Sequence, residues 1–104
     1  MKNINVNVPT RLMILMNLPE QGSVVEMIAV RNLRRKVDFD SKETEDISLK
    51  TDGGKVTWNN AKAEDKAIEF SEAEIDLLNK IINKIDKAGQ VTEILLDFIE
   101  ALRA

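Results

Sequence analysis

The chain has 104 residues, 43% apolar and 32% charged, which fits one globular domain and is too apolar for a disordered segment. It contains no Cys, His or Tyr, which excludes disulfides, thiol nucleophiles and zinc–thiolate sites and removes the commonest general base and metal ligand near neutral pH. The net charge of −3 divides unevenly, nine basic against eight acidic residues over 1–60 and six against ten over 61–104, which runs against the basic excess of a strong nucleic-acid binder.

Residues 3–8 alternate polar and apolar, so Ile4, Val6 and Val8 share one side of a half-buried strand that Pro9 ends. Thr10 to Leu18 reads as a short helix rich in Leu and Met, stopped by Pro19 and Gly22. A second helix is predicted from Ser23 to about Lys36, opened by a Ser23/Glu26 capping box, with Val24, Met27, Ile28, Val30 and Leu33 on a wide apolar side. Asp40 and Glu43 start a third, short helical turn. Ile47 and Leu49, the Asp52-Gly53-Gly54 turn and Val56–Trp58 then read as a β-hairpin. Residues 59–66 are polar and loop-like, and Ile68 to Phe70 is one more brief strand.

A second capping box, Ser71 and Glu74, and the Phe70/Ile75 pair of a hydrophobic staple mark the strongest helix start. Ile75, Leu78, Ile81, Ile82 and Ile85 then form one stripe. Gly89 suits a left-handed C′ position, and Val91, Ile94, Leu95, Phe98 and Leu102 form the stripe of a final helix. The fold class is therefore α+β: a small antiparallel sheet, made of the first strand, the hairpin and the Ile68–Phe70 strand, with two N-terminal helices and a C-terminal αα-hairpin.

Four features invite a functional reading. Arg31, Arg34 and Arg35, spaced i, i+3 and i+4, share one helical face and suit an anion, a nucleotide or an acidic patch on a partner, or a solvated face complementing the helix dipole. Trp58 is a core anchor under the hairpin or an interface residue. Leu77 and Ile99 sit off the main stripes, so either the rest of the domain or a second subunit covers them, and a homodimer stands beside a monomer. The acidic run Asp38, Asp40, Glu43, Glu45 and Asp46 lacks the sixth-position Gly and twelfth-position Glu of an EF-hand loop, so helix N-terminal acidity accounts for it. No metal, cofactor or catalytic residue is expected. No apolar run approaches the ~20 residues of a membrane span, and Leu12–Leu18 lacks the basic lead of a signal peptide, so the expectation is a cytoplasmic protein that binds rather than catalyses.

Arg11-Leu12 leading to Leu18-Pro19-Glu20-Gln21-Gly22, then Val30-Arg31-Asn32-Leu33-Arg34, Phe39, Thr57-Trp58-Asn59 and Ile68-Glu69-Phe70 before the final hairpin, resemble small uncharacterised accessory proteins of tailed bacteriophages and prophages. The resemblance carries no catalytic or ligand residues. It implies an accessory product acting in a bacterial cytoplasm by binding a host or phage protein, a defence component among the candidates. The alternatives are a nucleotide or nucleic-acid binder using Arg31, Arg34 and Arg35, and a structural or assembly component of a virion.

Overall fold

The computed structural model describes residues 2–59, 61 and 63–104. The first strand, β1 (Lys2–Val6), pairs antiparallel with β4 (Lys66–Phe70) in the register Ile4↔Ile68. Period-two alternation does what it must here. Ile4, Val6, Ile68 and Phe70 turn inward and are buried, while Asn3, Asn5, Ala67 and Glu69 face out. The ladder stops sooner than the alternation suggests, because α1 (Val8–Met16) already begins at Val8. Asn7 caps it, its side chain accepting a 2.9 Å bond from the Thr10 amide. Pro9 thus lies in the first helical turn, where a missing N–H costs nothing, rather than at a strand end.

The second helix, α2 (Val24–Val37), starts at Ser23, whose hydroxyl accepts from the Glu26 amide at 3.1 Å. The reciprocal half of that capping box is not formed: the Glu26 carboxylate meets the Ser23 hydroxyl at 3.3 Å, not the Ser23 amide. A short α3 (Ser41–Asp46) follows with Asp40 as N-cap. It ends in a Schellman-type turn with Ser48 at φ 53, where Leu49 N–H bonds Thr44 O and Ser48 N–H bonds Glu45 O.

The hairpin forms as expected, from β2 (Lys50–Asp52) and β3 (Lys55–Thr57) across Gly53 and Gly54, both at positive φ as a two-residue primed turn demands. It does not join β1 and β4, however, and forms a separate two-stranded sheet. Its strands are three residues long and carry no buried side chain, so they lack the apolar face that would seat them on the core. The Asn59 amide ties the hairpin's end to Ile47 O at 2.6 Å. The loop expected over 59–66 falls partly on residues 60 and 62, which lie outside the described residues.

The last third matches its sequence signals closely. In α4 (Glu72–Lys87), Ser71 and Glu74 complete the capping box in both directions. Gly89 at φ 68 closes the helix through Gln90 N–H to Ile85 O and Gly89 N–H to Asp86 O. Thr92 caps α5 (Glu93–Arg103). Along with the β1–β4 sheet, α2 lies on the β4 side and α5 on the β1 side; α4 packs on α2, and α1 touches both α2 and α5. Phe70 and Phe98 meet edge to face at 6.3 Å between ring centroids in the shared core.

Of the two covers open for Leu77 and Ile99, the structure shows the first: they are only 5% and 8% exposed, because α4 and α5 are each buried over more than one stripe by the chain itself. Conversely, Val24 and Ile28, placed on the apolar side of the second helix, face outward at 77% and 44% exposure. Val30 and Leu33 of that side are buried as expected, together with Ala29 and Val37.

Candidate functional site

Two ion pairs, each with one fully buried partner, set the position of α2. Arg11 is fully buried in α1 and donates four hydrogen bonds. Nε reaches Val37 O at 2.9 Å, one Nη reaches Asp38 O at 2.6 Å, and the two Nη atoms clamp Glu43 at 2.5 and 2.9 Å. The Phe39 ring lies beneath the guanidinium, 3.9 Å from its carbon to the ring centroid. Arg11 therefore caps the C-terminal carbonyls of α2 and binds α3 to it through a bidentate pair. At the same end of α2, Lys36 Nζ donates to Glu74 Oε1 at 2.6 Å and to Glu69 O at 2.7 Å, joining α2 to α4 and β4.

Glu74 is 2% exposed. Burial alone would push its carboxyl up, but Lys36 and the amide and hydroxyl of Ser71 together hold it below its ordinary value. Its Oε2 has no hydrogen-bond partner among the described residues. It belongs to the helix cap and not to a cleft.

These pairs divide the basic cluster read from the sequence. Lys36 is committed to the fold. Arg31, Arg34 and Arg35 are exposed and make no hydrogen bond or ion pair with the described residues. At 100° per residue, Val24, Ile28, Arg31 and Arg35 fall within a 60° arc, a single outward stripe (roughly one-sixth of the helix circumference). Val25, 72% exposed, and Asn32 flank it on one side and Arg34 on the other. The face is apolar over its first half and cationic over its second.

The other predicted site residues do not join this face. Leu77 and Ile99 are in the core, and Trp58 is half-buried at the end of the hairpin. The Arg11–Glu43 clamp is not legible in the sequence, where Glu43 stands in an acidic run at a helix start. The available signal was one charged residue, Arg11, in a helix whose other positions are apolar or neutral.

A second outward face carries the opposite charge. On α5, Glu93, Asp97 and Glu100 are exposed in one stripe, flanked by Ile94 at 48% and Leu96 at 45% exposure. Between α1 and the α4–α5 turn runs an open groove of about 350 Å³, lined mainly by Pro9, Met13, Ile85, Ile94 and Leu95 and free of charge. Beside α3, Asp40, Glu43, Asp46 and Glu64 border a shallow hollow with Lys42 and Lys66. Among the described residues no group of three or more carboxylates converges to hold a metal ion, and no helix is long and apolar enough to cross a membrane. No protein-family model, curated protein or solved structure matches the chain.

Proposed function

We propose that the chain is a non-catalytic interaction module that binds and modulates another protein through the outward face of α2. The observation that carries this reading is the meeting, on one helix face, of three arginines without a partner among the described residues and three exposed branched aliphatic side chains, Val24, Val25 and Ile28. A solvated face has no use for the aliphatics, and burying them is what a protein partner supplies. Arginine beside an apolar anchor is the composition that protein interfaces favour. The matching surface is an apolar patch edged by carboxylates. The resemblance to accessory proteins of tailed phages directs the reading to a bacterial host protein, a defence component being one candidate.

The same unpaired arginines also favour a second reading, a nucleotide or nucleic-acid site. That reading leaves Val24, Val25 and Ile28 without a role, which is why it ranks lower. The two separate on one experiment, capture from an infected bacterial lysate by the tagged full chain. The module reading expects one dominant protein, lost from both Arg31→Glu/Arg34→Glu/Arg35→Glu and Val24→Ser/Ile28→Ser. Recovery unchanged by either variant would refute it. Three phosphate contacts would instead give nucleic-acid affinity a log–log salt slope of about −2.7, abolished by the arginine variant alone.

A further inference from the structure

The six large apolar side chains most exposed among the described residues are Met16, Val24, Val25, Ile28, Ile94 and Leu96. Three lie on the outward face of α2, Met16 ends the neighbouring α1, and the last two flank the acidic stripe of α5. On α2 the aliphatics come first and Arg31 and Arg35 follow. On α5 the stripe of Glu93, Asp97 and Glu100 is acidic along its length, with Ile94 on one edge and Leu96 on the other. None of these five charged residues has an ion-pair or hydrogen-bond partner among the described residues. Laid side by side, the two faces oppose the guanidinium groups of Arg31 and Arg35 to the carboxylates of the α5 stripe, with the α2 aliphatics beside its Ile94 and Leu96 edges. Within one chain they cannot meet, since α2 lies on the β4 side of the sheet and α5 on the β1 side.

We infer that the outward face of α2 also receives α5 of a second copy of this chain, in a head-to-tail contact that covers the face until a partner displaces it. The inference rests on α2 being a docking face and names one occupant of it. A contact between two different patches leaves each copy with one of each unused, so association continues past two copies unless the rotation closes a ring. One helix pair is a small interface, below the ~1,200 Å² of stable complexes, so the contact is weak and concentration-dependent. Its charged half is screened as the Debye length shrinks to ~3 Å at 1 M salt.

Sedimentation velocity on the full chain tests this. At low salt the weight-average sedimentation coefficient should rise with concentration, and it should fall back in 1 M salt. Arg31→Glu/Arg35→Glu makes both faces acidic, and Asp97→Arg/Glu100→Arg makes both basic, so each variant alone should stay monomeric. An equimolar mixture should associate again, and Ile28→Ser in the second variant should weaken that association. A wild type that stays monomeric over the whole range overturns the inference. So does a mixture that stays monomeric, or one indifferent to Ile28→Ser. Failure here is distinct from failure of the partner reading, because Asp97→Arg/Glu100→Arg should still capture the partner while Arg31→Glu/Arg35→Glu should not.

Discussion

Replacing Arg11 by methionine tests how α2 is held in place. Arg11 is 0% exposed and supplies four donors: one to Val37 O, one to Asp38 O and two to Glu43. Methionine keeps much of the buried volume but satisfies none of these acceptors. Breaking a buried ion pair by removing one partner typically costs about 3–5 kcal/mol. Glu43 is 27% exposed and can rehydrate, which points to the low end. The two orphaned carbonyls and the lost stacking on Phe39 act in the other direction. The expected cost is therefore about 3–4 kcal/mol, a large share of the ~5–15 kcal/mol that stabilises a domain of this kind. At ~4–8 °C per kcal/mol, the Tm should fall by at least ~12 °C. Urea unfolding followed by circular dichroism reads the free energy. Arg11→Met/Glu43→Leu should recover part of the loss, since the double variant no longer strands a carboxylate. A loss below about 1 kcal/mol in Arg11→Met would refute the claim that this cluster fixes α2 and α3.

Other substitutions probe separate parts of the account. Glu74 titrates below its ordinary value in the folded chain, so it stabilises the fold above about pH 4.5 and loses that contribution as pH falls through its folded pKa. The stability gap between wild type and Glu74→Gln, measured by urea midpoints from pH 7 to pH 3, should therefore narrow at acid pH. Ser48 holds φ 53 at a helix C′ position, so Ser48→Gly should raise stability by up to about 1 kcal/mol in the same assay. Leu77→Ala and Ile99→Ala should each cost about 2–5 kcal/mol, as core truncations do, and a near-neutral result would return them to the surface. Arg31→Glu/Arg34→Glu/Arg35→Glu should change stability by no more than about 0.5 kcal/mol per residue, because none of the three pairs with a described residue.

The elements that the sequence made legible are those whose signals are local. Ser71/Glu74 and Gly89 bracket α4 because a capping box and a left-handed glycine depend only on near neighbours. The alternation in β1 named its buried face correctly because the pleat has period two. What failed depended on partners distant in sequence. Whether the hairpin joined the sheet turned on the absence of an apolar seat. Whether Leu77 or Ile28 faced out turned on which side of each helix met the rest of the chain, and a 3.6-residue period does not say that when apolar residues cover more than half the circumference. The Arg31/Arg34/Arg35 face was visible as a spacing. That Lys36 is spent on Glu74, 38 residues away, and that Arg11 binds Glu43, 32 residues away, was not.

The claim that α2 presents a docking face is tested most directly by thiol accessibility, since the chain contains no cysteine and any introduced one is a unique probe. Asn32→Cys lies beside the Val24–Arg35 stripe, and Thr51→Cys on the hairpin serves as the remote control. With the captured partner bound, alkylation at position 32 should slow at least tenfold while position 51 reacts as before. Protection at position 51 with position 32 unchanged would place the interface elsewhere and contradict the account.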